Sequence, residues 1–214
     1  MTADTATKNK PDSAAIRAAL DEETGLRARD LATRLGITEA DLVAARVGHG
    51  ATRIEAHPDR LMPEVCGLGE VMALTRNDSA VHERTGTYDD WHPGEHAAMI
   101  LGPEIDLRIF PSHWIHAFAV RNDTGTGPSR SLQVFDASGE AVHKVYPREG
   151  TDLDAWDAAV ARLATGETSD WLSLDPPRSP EPARARPDKA EELRVAWGRM
   201  TDTHQFLRLV SKLK

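Results

Sequence analysis

"EVMALTRNDSAVHERTG", residues 70–86, decides the fold. The runs 70–76 and 79–86 read as strands, and the Asn77-Asp78 pair between them suits a tight hairpin turn. Downstream the same texture repeats. "IDLRIF" (105–110) alternates strictly, and "WIHAFAV" (114–120), "RSLQVFD" (130–136) and "AVHKVYP" (141–147) follow, separated by Gly, Pro, Asn and Asp clusters. "DASG" (136–139) is a second hairpin turn. Successive strands joined by short turns predict a large, mostly antiparallel sheet.

Helical periodicity flanks this block. From Ser13, Ile16, Ala19 and Leu20 fall on one stripe, continued by Leu26, Leu31 and Leu35 up to Gly36. "TEADLVAAR" (38–46) then opens a further helix with Thr38 as its N-cap. "TDLDAWDAAVARLATG" (151–166) is a helix capped by Thr151 or Asp152, with Leu153, Trp156, Val160 and Leu163 as the buried stripe and Gly166 at its end. The fold class is therefore α+β, a large sheet with packed helices. Residues 1–12 read as a disordered tail and 13–174 as the α+β domain. Residues 175–188 form a Pro-rich linker, and 189–214 a last helical segment. "AAIRAAL" (14–20) is weakly echoed by "EELRVAW" (191–197).

The bulk numbers exclude several classes. A net charge of −8 argues against a general nucleic-acid binder. The single cysteine, Cys66, permits neither an intrachain disulfide nor a thiolate metal cage. The polar N-terminus is not a signal peptide, and no apolar run is long enough for a membrane span. The reading is a soluble cytoplasmic protein.

Two places carry candidate chemistry. In "DLRIF", Ile105, Leu107 and Ile109 share the core face of a strand. Asp106, Arg108 and Phe110 share the other face. A guanidinium beside a phenyl ring suits a flat ligand with an anionic edge, although an arginine solvated beside Asp106 explains the pattern equally well. The second place is His204. If a new helix begins at Asp202, with Gln205 completing a cap, Phe206, Leu209, Val210 and Leu213 form its apolar face and His204 lies opposite. If one helix runs through, His204 joins Leu193, Trp197, Met200 and Leu207 on an apolar wall. Other histidines offer less. Pro93 and Gly94 spoil the helix that would align His92 with His96, and His113 and His116 point to opposite faces of a strand. A rival reading is a helix-turn-helix DNA binder over residues 28–46, whose recognition helix would place Glu39 and Asp41 against phosphates.

Taken together, "ARDLATRLGITEADLVAARVG", "LGEVMALTRNDSAVHERTGTYDDW", "DLRIFPSHWIHAFAV", "SLQVFDASGEAVHKVYP" and "WGRMTDTHQF" resemble the HemS/HmuS family of bacterial cytoplasmic haem-handling proteins, called haemin transport proteins or haemin-degrading factors. The resemblance implies a tandem fold of two α+β halves. This chain then spans the first half, the linker and the opening of the second. It implies haem b (iron protoporphyrin IX) as the ligand, with His204 of the "TDTH" motif as proximal iron ligand and Arg108 at the haem site beside Phe110. The family's remaining pocket contacts come from the second half. A haem importer or haem oxygenase is the implied protein partner. Haem trafficking is the expected role, oxidative ring opening with an external electron donor the alternative.

Overall fold

The structure, a computed structural model, describes residues 10–23, 25–77, 79–124, 127–177, 179 and 186–213. The chain divides into two compact units, Met1–Pro177 and Arg178–Lys214.

The first unit opens with α1 (Ser13–Glu22), α2 (Ala28–Leu35) and α3 (Glu39–Ala44). Asp12 caps α1 by accepting the Ala15 N–H. Gly36 ends α2 in the left-handed region at φ 70°, where a side chain would be strained. Thr38 and Asp41 cap α3 reciprocally, each side chain accepting the other's backbone N–H. Lys10, in the stretch expected to be a tail, is ion-paired to Asp41.

Two elements follow that the sequence pattern hides: β1 (Ala51–Ile54) and α4 (Pro58–Cys66). Pro58 stands in the first turn of α4, where its missing N–H costs nothing. Then come β2 (Gly69–Arg76), β3 (Val81–Gly86), β4 (Trp91–His92), β5 (Ala98–Leu101), β6 (Asp106–Ile109), β7 (His116–Thr124), β8 (Gly127–Phe135), β9 (Ala141–Thr151) and α5 (Leu153–Leu163). The β2–β3 turn is longer than expected. Asn77 Oδ1 accepts the N–H groups of Ser79 and Ala80, so β3 starts only at Val81. Asp78 lies outside the described residues. At the "DASG" turn Asp136 Oδ1 accepts from the Ser138 and Glu140 N–H groups, and Gly139 takes φ 84°.

The strands form a six-stranded sheet, β1-β7-β8-β9-β2-β3, and a three-stranded one, β4-β5-β6. Every pairing is antiparallel. The period of two sends Ala117, Leu132, Val134, Val145, Val71 and Ala73 to one face of the large sheet. There they pack with α4, α5 and the inner face of the small sheet. Phe118, Val120 and Phe135 go to the opposite face and meet α3 and Leu172. In α5, Asp152 is the N-cap, and Trp156 and Leu163 are buried as expected, with Val160 packed at the edge of the core. Leu153 is not. It stands in the first turn, 46% exposed, and Ala159 takes the place on the stripe.

A polar network crosses the apolar core. His143 on β9 is buried, stacked on Trp114, with Nδ1 2.9 Å from Thr75 Oγ1 and Nε2 2.6 Å from the Tyr88 hydroxyl. The Tyr88 O–H has no other described partner, so it donates to Nε2, and Nδ1–H donates to Thr75. Burial raises the Tyr88 phenol and lowers the His143 imidazole from 6.5 to about 4. The fold thus keeps the neutral ring, whereas the unfolded chain binds a proton between those values. Stability is full above about pH 6.5 and falls as the pH drops toward 4. Urea melts of the wild type and His143→Gln at about pH 7 and about pH 5 check this. The wild type is expected to lose more stability on acidification than the variant. Equal losses would remove His143 from the account.

The second unit is short and has no fully buried residue among those described. It holds a 3-10 turn (Pro187–Lys189), α6 (Ala190–Gly198), a second 3-10 turn (Thr203–Gln205) and α7 (Phe206–Lys212). One continuous helix through this segment is therefore excluded, because α6 stops at Gly198. The Gln205 side chain reaches back to Thr201 rather than to Asp202, accepting its N–H at 3.3 Å. Phe206, Leu209, Val210 and Leu213 are half-buried, while Arg208 and Ser211 are exposed. The face expected for a new helix after Asp202 is the one observed. The Trp197 and Phe206 rings meet edge-on at 5.2 Å.

Candidate functional site

The small sheet carries the "DLRIF" residues. Ile109 on β6 packs inward with Ala98 and Ile100 of β5, and Leu107 packs against the same core. Ile105, just before β6, is buried with them. Alternation then forces Asp106, Arg108 and Phe110 to the outer face, where all are exposed, Phe110 at 44%. The register sets Met99 opposite Arg108 and His92 opposite Met99, so His92, Met99 and Arg108 form one row across three strands. Leu101 adds a further exposed apolar side chain.

Arg108 makes no ion pair with a carboxylate among the described residues. Its Nη2 instead rests 3.8 Å from Met99 Sδ. That is the condition for binding an external anion, since a guanidinium already forked onto a carboxylate would have to be released first. Beside it, Phe110, Leu101 and Met99 offer a partly apolar floor. The face fits a planar ligand with an anionic edge. The remaining member of the row, His92, has its Nε2 2.9 Å from Asp90 Oδ1.

The other sequence candidates sort on burial. His204 lies in the 3-10 turn Thr203–Gln205 of the second unit, and its side chain falls outside the described residues. His96 and His113 are exposed. His116 is half-buried, its imidazole lowered first by burial and then by Arg53. Among the described residues no group of three or more His, Cys, Asp or Glu is placed to hold a metal ion. Cys66 is a free, half-buried thiol, raised by burial and by Asp89. It is thus less reactive than an ordinary cysteine.

The DNA-binding reading fails on packing. The α2–turn–α3 cadence is real, but all six residues of α3 are buried. Glu39, expected to face phosphates, bonds Lys144 Nζ at 2.6 Å and Arg76. A helix clamped to the sheet cannot enter a major groove. What the sequence could not reveal was this partner set: Glu39 lies 105 residues from Lys144, and no local pattern joins them.

Comparison with known proteins places the chain. Residues 36–163 match the family model described as haemin-degrading HemS.ChuX domain. The hemin transport protein HmuS of Yersinia pestis is 42% identical over 192 residues, 89% of this chain and 55% of that protein. HemS of Yersinia enterocolitica is 42% identical over 193 residues, with the same shares. The chain spans about half the length of these curated relatives. Among solved structures, holo-PhuS, a heme-binding protein from Pseudomonas aeruginosa, superposes with a TM-score of 0.78 at 40% identity. That match covers 94% of this chain and 59% of PhuS. ChuS, an E. coli heme oxygenase, gives 0.71 at 35%, covering 92% and 57%. The solved ChuX structure, at 16% identity and a TM-score of 0.59, shares the fold. No described helix is long and apolar enough to cross a membrane. With the family model matched across more than half its residues, and with an antiparallel α+β architecture shared with PhuS and ChuS, the chain belongs to the HemS/ChuX family of haemin-handling proteins.

Proposed function

We propose that this chain binds haem b for trafficking in the cytoplasm, with His204 as proximal iron ligand and Arg108 and Phe110 contacting the porphyrin. The observation that carries this reading is Arg108. It is exposed, without a carboxylate ion partner among the described residues, and set beside an exposed aromatic on a sheet face. Guanidinium and propionate form charge-assisted hydrogen bonds. A neutral imidazole is a good iron ligand. Burying porphyrin faces adds about 25 cal/mol per Å² of apolar area. A bound haem supplies the iron; the protein's part is to hold it and fix its orientation.

Arg108→Ala tests this directly. In haemin titrations followed by Soret absorbance, affinity is expected to fall about tenfold, the value of one charged hydrogen bond. The histidine-ligated spectrum should stay unchanged, because Arg108 does not touch the iron in this reading. An unchanged affinity would place the propionates elsewhere. Degradation is the second reading, favoured by the description of the matched family as haemin-degrading and by the relative ChuS, a heme oxygenase. Loss of the Soret band with release of carbon monoxide, given a reductant and O₂, would establish it. A haem importer or a haem oxygenase is the corresponding protein partner.

A further inference from the structure

Arg108 is held by a residue whose chemistry can change. Its guanidinium Nη2 lies 3.8 Å from Met99 Sδ, and the two residues are cross-strand partners on β6 and β5. A thioether is a weak acceptor. It contacts the guanidinium without the pull that a carboxylate would exert. Met99 is half-buried on the outer face of the small sheet, whereas Met62 is enclosed in the core at 1% exposure.

We propose that Met99 is an oxidation-sensitive positioning residue for Arg108, and that its conversion to the sulfoxide by hydrogen peroxide weakens anion binding at this face. The proposal rests on Arg108 being the group that receives the carboxylates of the ligand. The sulfur lone pair attacks one peroxide oxygen. The S–O bond forms as the O–O bond breaks, and the departing hydroxide takes a proton to become water. Sulfur loses the two electrons that the peroxide gains. The product is polar, with an oxygen that accepts hydrogen bonds far better than the thioether did. Situated against Arg108, that oxygen takes a guanidinium N–H that would otherwise meet a carboxylate. Methionine sulfoxide reductase reverses the change, so the response is a switch rather than damage.

A second pair of the same composition supplies an internal control. Arg148 Nη2 lies 2.5 Å from Met72 Sδ, on β9 and β2 of the large sheet. Oxidation there should leave the Arg108 face alone.

The experiment treats the full chain with limited hydrogen peroxide, removes the excess with catalase, and only then adds haemin. Peptide mass mapping reads which methionines gained oxygen. Two readouts follow: the Arg108 side-chain N–H resonance without haemin, and haemin affinity. The expected result is a Met99 sulfoxide, a displaced Arg108 resonance and an affinity about tenfold lower, all reversed by the reductase. Met99→Leu should show no response to peroxide in either readout. Met72→Leu should respond as the wild type does. Oxidation of Met99 with an unmoved Arg108 resonance would overturn the proposal, as would failure of Met99 to oxidise while the other half-buried methionines, Met72 and Met200, do. If the resonance moves but neither oxidation nor Arg108→Ala alters haemin affinity, the positioning role stands and the assignment of Arg108 to haem fails.

Discussion

His204→Ala is expected to lose the histidine-ligated haem spectrum and to bind haemin at least about a hundredfold more weakly. Removing an outer partner of a metal ligand already costs 10–100-fold. The ligand itself supplies the only directional bond to iron in the proposed site, so its removal should meet or exceed that range. Arg108 and Phe110 would remain, and residual binding should be of the weak, surface-adsorbed kind. Exogenous imidazole should restore a histidine-like spectrum to the variant, because the missing group is a ring nitrogen and not a fold element. Circular dichroism should be unchanged, since the second unit has no fully buried residue among those described for the substitution to disturb. An unaltered Soret spectrum in His204→Ala would move the iron to another side chain.

The largest effect on stability is expected at Glu39. Its carboxylate lies between Lys144 Nζ, at 2.6 Å, and Arg76, with side-chain exposures of 8% for Glu39, 7% for Lys144 and 17% for Arg76. Burial by itself would raise the Glu39 carboxyl, but Lys144 and Arg76 outweigh it and hold it below the usual value. Glu39→Ala leaves two enclosed cations facing each other. Breaking a buried pair in this way costs about 3–5 kcal/mol. The loss also unfastens α3 from β9 and β2, so the apolar contacts of Ala40, Val43 and Ala44 with the sheet weaken with it. Urea unfolding with an unchanged m-value measures the change. Glu39→Gln should be nearly as damaging, since an amide bonds but does not neutralise. The double variant Glu39→Leu, Lys144→Met should recover part of the loss, because apolar replacement of a whole pair removes the desolvation penalty along with the attraction. A change below about 1 kcal/mol for Glu39→Ala would mean the cluster is solvated, as surface pairs are.

The antiparallel sheet was legible because its turns are chemically marked. Asn77 and the "DASG" run sit between alternating stretches, and both function as turns through their own side-chain oxygens. The α3 cap was legible from Thr38, although its meaning was not. The Glu39 and Asp41 that suggest a recognition helix are buried: Asp41 caps the helix and pairs with Lys10, whereas Glu39 is explained only by the distant Lys144 and Arg76. β1 escaped notice because four residues give too few alternations. α4 escaped because Pro58 and Pro63 interrupt its pattern. The outward direction of Arg108 followed from the period of two in "DLRIF". Its contact with Met99 depends on strand register, which the local sequence does not determine. The Thr75–His143–Tyr88 network had no local signal at all, since it joins residues on β2, on β9 and in the segment after β3.

Titrating the wild-type chain with haemin, followed across the Soret region, tests the central claim most directly. Saturation at one haem per chain, with the spectrum of a histidine-ligated iron, is the result this account requires. A weak change that grows without saturation and shows no histidine ligation would contradict it.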